Sequence, residues 1–371
     1  MYSEVQMLIN GTRFVFWSEV KITQSIDTVS TASFNAPFDP DAPGFKENFS
    51  PFSYNPIIVS VGDTPIFTGS ILDIMPTVEG QIAIQVSCYS TCGVLMDCTP
   101  PADKAPFEYN NLNLKEIAER MAGYFKLNVD FRGDPGAKFV RVACDPDKKV
   151  FDFLTELAKQ RGFVISSNTS GDLLFWKSAT GNPVAILEQG VSPLLSVTPD
   201  FNPQEFYSDL TGLSPVEVGK PAVKKTVKPK AEDKEKQPKL EKVKQPKPAK
   251  KYSKFSAKSD AEVFRPLSFK IDDVDGADVE TATKAKLARM LGNMAKYTIT
   301  VNTWRDANGE LWVPNSKIRL KAPGAMVYDF FDLEIKSVEF SQDESSETAT
   351  IELSLPGSFS GEPPEVFPWE L

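Results

Sequence analysis

The chain has 371 residues, 41% of them hydrophobic, and a formal net charge of −9, enough for two to four domains with real cores. It contains no histidine, which excludes Ser-His-Asp and Cys-His catalysis and every His-based zinc site. No apolar run approaches the ~18 residues of a membrane span. The N-terminal residues alternate apolar and polar without a basic start, unlike a signal peptide, and read as mature structure made in a cytoplasm.

Residues 1–100 read as all-β. VQMLING runs a strand into an Asn-Gly turn, TRFVFWSEVKITQSI continues the alternation, PIIVSVGDTPIFTGSILDIMP gives two runs around Gly62-Asp63, and QIAIQVSCYS alternates strictly. Short strands with turn signals between them predict a small antiparallel barrel or sandwich.

Residues 101–187 change period. A helix over Leu112–Phe125 places Leu114, Ile117, Ala118, Met121 and Phe125 on one face, and a second over KKVFDFLTELAKQRGF does the same with Val150, Phe153, Leu154, Leu157 and Ala158. Gly162 stands where a helix C-terminal glycine belongs. Strands LNVDF, FVISS and DLLFWKS, the last two around Ser170-Gly171, complete a small α+β module.

Residues 188–356 return to β. They are interrupted at 220–254 by 14 Lys against four acidic residues, a net +10 that leaves −19 for the rest of the chain. That segment buries too little apolar surface to offset its ordering entropy and is expected to be a disordered loop rather than a nucleic-acid tether. Beyond it come a strand FRPLSFKI, a helix over 277–297 with Asp278 or Thr281 as candidate N-cap, strands YTITVNTW and SKIRLKAP around a tryptophan-bearing turn, and a final hairpin DLEIKSVEFSQD/ETATIELSLP. Residues 357–371 form a C-terminal arm with Trp369. Segments 1–100 and 188–356 read as two copies of one barrel type split by the α+β module. The fold class is thus α+β, mainly β.

Chemistry-bearing constellations are weak. Cys88, Cys92, Cys98 and Cys144 lack the paired spacing of a zinc site and are expected as buried reduced thiols. Asp272, Asp273, Asp275 and Asp278 lack the spacing and closing glutamate of a calcium loop. Asp343, Glu344 and Glu347 suit a solvated turn. No nucleotide-binding glycine motif and no GxSxG is present. We therefore expect no catalytic residue, no cofactor and no metal. A cell-wall-degrading enzyme using a carboxylate pair and a DNA tether acting through the lysines are the rival classes.

The order of short motifs resembles that of the baseplate hubs of Mu-like contractile-tailed bacteriophages. The motifs are Arg265-Pro266 opening a strand, a long helix, a strand ending near Trp304, and a G-x-LW-x-PN turn from Gly309 through Leu311, Trp312 and Pro314 to Asn315. The opening FWSEVKITQSIDTVSTASFNAP and the strand FTGSILDIMP, with Leu72 before Asp73, fit the same pattern. The resemblance implies two barrel domains of tail-tube type per chain and a homotrimeric ring joining the six-fold tail tube to a three-fold central spike. The implied partners are itself, the tail tube protein, the central spike protein, the tape-measure protein and the baseplate wedge proteins, with genomic DNA only passing through the lumen. The implied place is the virion tail baseplate, after assembly in the host cytoplasm. The hub of a related contractile injection system is the near variant. Trp304, Trp312, Pro314, Asn315, Arg265 and Trp369 are the interface candidates. The lysine insert departs from the pattern: it interrupts the second barrel and is expected to leave the ring as a flexible loop.

Overall fold

A computed structural model describes residues 3–178, 181–215, 252–259, 261–271, 276–359 and 366–370. The first β region contains β1 (Val5–Ile9), β2 (Thr12–Phe14), β3 (Glu19–Ser25), β4 (Thr31–Pro37), the one-turn helix α1 (Phe45–Asn48), β5 (Pro56–Val61), β6 (Thr64–Glu79) and β7 (Gln81–Ser90). The Asn-Gly turn joins β1 to β2 with φ of 51° at Asn10 and 78° at Gly11, the two positive values that a tight hairpin turn demands. The long run read through Trp17 breaks at residues 15–18, so β2 and β3 are separate strands.

The middle region starts with α2 (Val94–Asp97) and continues through β8 (Glu108–Leu112), α3 (Leu114–Gly123), β9 (Val129–Phe131), β10 (Phe139–Ala143), α4 (Val150–Gln160), β11 (Val164–Ser167) and β12 (Leu173–Trp176). Asn113 caps α3 by accepting from the Glu116 backbone N–H while the Glu116 carboxylate accepts from the Asn113 N–H, a capping box that satisfies two otherwise orphaned donors. The apolar faces of α3 and α4 meet in one buried cluster with Phe139, Phe163 and Phe175. Each fully buried large side chain there contributes about 1.5–3 kcal/mol.

The last region contains β13 (Ala185–Glu188), β14 (Leu194–Phe201), β15 (Asp209–Pro215), β16 (Tyr252–Lys258), β17 (Pro266–Lys270), α5 (Gly276–Met294), β18 (Ala295–Val301), β19 (Lys317–Ala322), β20 (Val327–Asp343) and β21 (Glu347–Ser354). Several expectations need correction here. The strand β13 straddles the boundary expected at 187, and it pairs with β19 of the second β region. The helix α5 starts at Gly276 and ends at Met294, so Asp278 and Thr281 lie inside it and β18 takes the residues read as its last turn. Tyr252 to Lys254, read as disordered, belong to β16, which pairs with β15 from Asp209↔Lys258 to Pro215↔Tyr252. The rest of the insert expectation, and Asp272, Asp273 and Asp275 of the acidic run, lie outside the described residues.

The insert does not interrupt the large sheet. Strands β16, β15 and β17 form a separate three-stranded sheet under α5, whose Val279 and Ala282 reach the middle module's core. Gly212 of β15 permits that approach, because a Cβ there would collide with the Thr283 hydroxyl and the Ile271 side chain. Arg289 of α5 donates to the carbonyls of Lys159 (3.2 Å), in the last turn of α4, and Phe163 (2.8 Å), just beyond it, where the negative end of the helix dipole favours a cation.

Thirteen strands make one sheet. Its main path is β14-β18-β21-β20-β3-β4-β7-β6-β5-β1-β2, with β19 beside β20 and β13 beside β19. Number each half's strands along the chain, leaving aside the extra β2. The spatial order is then second, third, sixth, fifth, fourth, first in both: β3-β4-β7-β6-β5-β1 and β14-β18-β21-β20-β19-β13. Both halves carry a bulge at the same place, at Leu72 between Ile71/Asp73 and at Lys336 between Ile335/Ser337. Even a bond outside the ladder repeats: Ile71 N–H donates to Asn55 O (2.9 Å) and Ile335 N–H to Ser316 O (2.8 Å). The halves differ in that β1 runs antiparallel to β5 whereas β13 runs parallel to β19. The expectation of a mainly-β chain with two barrels of one type holds.

Candidate assembly interface

The two halves meet where β3 pairs antiparallel with β20, from Ser25↔Ser337 to Glu19↔Asp343. The core face of this joint is sealed and largely apolar: Val20, Ile22, Val338 and Phe340 are all buried, with the buried Gln342 opposite Val20. The opposite face is polar and carries Glu19, Lys21, Thr23, Glu339, Ser341 and Asp343. Beyond the joint, Ile26 N–H donates to Lys336 O (3.0 Å). The bulged Lys336 sends its Nζ to Glu352 (2.9 Å) and toward Asp27 (3.9 Å). Burial alone would pull the Lys336 ammonium down, but Asp27 and Glu352 together hold it above its ordinary range.

The topological counterpart of this joint is open at both ends of the sheet. Strand β14 has β18 on one side and, among the described residues, no strand on the other. Among the described residues the second half of β6 pairs with β7 on one side only, because β5 ends its pairing at Ser70. Both edges present apolar side chains to solvent: Leu72, Met75 and Val78 on β6, with Leu195 and Phe201 on β14. An exposed edge of this kind is a template for another strand.

Of the six residues singled out from the sequence, Trp304 and Trp312 are fully buried. The Trp304 indole donates to the carbonyls of Thr348 (2.9 Å) and Ser341 (3.3 Å), and Trp312 to that of Thr303 (2.9 Å). Trp304 thus braces the β20–β21 hairpin from inside and Trp312 ties back to the turn that follows β18; indoles sealed in a core cannot meet a partner, so both are corrected from interface to packing. Pro314 is also buried, which corrects it likewise. Asn315 holds a left-handed φ of 65° and donates from Nδ2 to Lys177 O (2.9 Å), tying the second β region to the end of the middle module.

Arg265 and Trp369 come together on one segment. The Arg265 guanidinium donates to the carbonyls of Pro203 (2.9 Å) and Gln204 and lies over the Tyr207 ring. Trp369 stacks on Phe367 at 4.8 Å between ring centres and meets Phe201 edge-on at 5.3 Å. Phe201, Phe206, Met294, Met326 and Trp369 line an apolar cleft of about 330 Å³ at the end of the open strand β14. The open edges themselves escape a residue-by-residue reading, since nothing in FTGSILDIMP or LLSVTPDF says which side of a strand lacks a neighbour. Leu72, noted as the residue before Asp73, is the trace of the bulge.

Cys88, Cys92 and Cys144 are buried thiols as expected, and Cys98 is half-buried, a small correction. Burial pushes the Cys92 thiol up to about 12 and Cys144 up to about 11, which keeps both protonated and unreactive. Among the described residues no group of three or more His, Cys, Asp or Glu side chains gathers to hold a metal ion, and no helix is long and apolar enough to cross a membrane. Asp343 accepts from the backbone and side chains of Ser345 and Ser346 at 2.7–2.9 Å, so it organises a hairpin turn.

Comparison with known proteins agrees with this architecture. Residues 92–177 match the family model for the second domain of gp44-like baseplate hub proteins, and residues 277–362 that for the fourth domain of the Mu phage baseplate assembly protein GpP. The baseplate hub protein gp44 of Escherichia phage Mu is 20% identical over 343 residues, covering 87% of this chain and 80% of that protein. A 43 kDa tail protein of prophage MuSo2 from Shewanella oneidensis superposes with a TM-score of 0.74 at 20% identity, covering 96% of this chain and 99% of that one. A tail protein from Neisseria meningitidis superposes with a TM-score of 0.76 at 16% identity, covering 97% and 99%. Domain models, a relative aligned along most of the chain and two near-complete structural matches thus agree, and the resemblance to the baseplate hubs of Mu-like contractile-tailed phages holds.

Proposed function

We propose that the protein is a structural, non-enzymatic hub: three copies close into a ring that carries the six-fold tail tube above and a three-fold spike below. The observation that carries this reading is the repeated half. One chain holds two units of identical strand order joined edge to edge by β3 and β20, and among the described residues both matching edges stay open. A joint that links unlike edges repeats head to tail and makes a ring where its rotation closes. Three chains supply six units, the count that a six-fold tube needs.

The division into a first β unit, a middle α+β unit, a second β unit and a C-terminal arm is part of this proposal. The middle unit stands outside the large sheet. Tail tube, spike, tape-measure and wedge proteins are the whole protein's proposed partners in the virion baseplate, through broad surfaces rather than a pocket. The polar face of the sheet, with Glu19, Glu339 and Asp343 against Lys21, would line the lumen, where like charge keeps passing DNA off the wall.

Negative-stain imaging of the purified full chain tests the reading. Rings with three-fold symmetry and a central hole are expected. Monomers at micromolar concentration, or rings of another order, overturn it.

A further inference from the structure

The internal joint predicts the register of the one between copies. Aligning the halves on their bulges sets Val338 against Ile74, Phe340 against Pro76 and Gln342 against Val78. Aligning β3 with β14 through their partners β4 and β18 sets Val20 against Val197, Ile22 against Pro199 and Gln24 against Phe201. Inside the chain Gln24 faces Val338, Ile22 faces Phe340 and Val20 faces Gln342.

We propose that β14 of one copy pairs antiparallel with the open half of β6 of the next, with Phe201 opposite Ile74, Pro199 opposite Pro76 and Val197 opposite Val78, and that the facing prolines make this the weak joint of the ring. The inference rests on the ring reading and supplies its contact. Backbone direction supports it. Ile26 N–H points at β20, and alternation along a strand then points Gln24, Ile22 and Val20 the same way. Asn202 N–H points at Met294 beside β18, so the opposite set, Phe201, Pro199 and Val197, points out of the open edge. The facing sets therefore match in direction as well as position.

The central pair is what differs. Phe340 and Ile22 each bring a backbone N–H to the internal joint, whereas Pro76 and Pro199 bring none. The middle of the ladder is missing, and the flanking apolar pairs hold it. Prolines on both edges also discourage each from pairing with a wrong strand. Joints inside a chain are thus continuous and permanent, while those between copies are interrupted and separable.

Two experiments on the full chain, in a Cys98→Ser background, test this. Thr77 and Thr198 would stand opposite as a non-hydrogen-bonded pair, with Cα atoms about 4.5 Å apart, within reach of a disulfide. Mild copper-phenanthroline oxidation of Thr77→Cys/Thr198→Cys is expected to give covalent dimers and closed trimers. A Thr77→Cys/Asp200→Cys pair, two residues out of register, should give several-fold less. Trimers by sedimentation that cross-link equally in both variants, or in neither, overturn the joint and leave the ring standing. Monomers by sedimentation overturn both. The second variant, Pro76→Phe/Pro199→Ile, copies the internal pair and should lower the concentration at which trimers dissociate by roughly tenfold. An unchanged or higher concentration overturns the assignment of weakness to the prolines.

Discussion

Phe340 and Ile22 stand directly opposite one another on the line where the two halves of the sheet meet, and both are buried. The joint is therefore part of the folded core, and its loss is expected to cost the whole chain stability. Phe340→Ala should destabilise by about 3–5 kcal/mol, read as a shift in the denaturant midpoint. Val78→Ala, on the open edge, should stay within about 0.5 kcal/mol in the isolated chain.

Lys336 fastens the same joint by charge. Lys336→Ala leaves Glu352 and Asp27 without their shared cation and should cost about 1–3 kcal/mol, discounted from a fully buried pair because both carboxylates are partly solvated. A double-mutant cycle with Glu352→Gln measures the coupling. Strict additivity of the two substitutions would refute the role.

Glu334 gives a pH signature. Its buried carboxylate accepts from the Ser178 hydroxyl (2.8 Å) and Gly357 N–H (3.1 Å), yet burial outweighs them and raises it above the ordinary value of 4.5. An acid raised in the folded state costs stability while ionised, and the cost vanishes as pH falls through its folded value toward 4.5. Glu334→Gln should therefore equal or exceed the wild type in thermal midpoint at pH 7–8, with the gain shrinking as pH falls toward 4.5 and absent below it.

Asp343 works with the opposite sign. Hydrogen bonds from Ser345 and Ser346 hold it down at about 2, so its contribution is complete above its ordinary value of 3.8 and is lost as pH falls toward 2. Asp343→Ala should lower the melting temperature at pH 6 and converge with the wild type near pH 2. A constant difference across that range would refute the turn's dependence on the ionised carboxylate.

The lysine insert opens from a place that closes easily. Pro215 and Tyr252 are the last pair of the β15–β16 ladder, so replacing residues 216–251 by Asn-Gly should give a two-residue hairpin. The shortened chain should assemble by mass photometry as the full chain does. Loss of assembly would show that the insert has a role in it.

Much of this architecture was legible in the residues. Alternation in VQMLI and QIAIQVSCYS, the apolar face of Leu114, Ile117 and Met121, and the motif order ending in Trp312 and Asn315 carry strand, helix and the resemblance to Mu-like hubs, because each depends on local periodicity or on a few neighbours. The absence of histidine also limited the chemistry before any fold was known. Tertiary structure alone decided that Trp304 and Trp312 are sealed inside, that β16 follows the lysines, and that β3 lies against β20 more than 300 residues away in sequence. Burial and strand pairing depend on what lies beside a strand, and a strand's own residues read the same whether an edge is covered or open. The matching edges of β6 and β14 stand out only when the two halves are laid over one another, so the likeness of sequence-distant parts, rather than any motif, carries the proposed contact between copies.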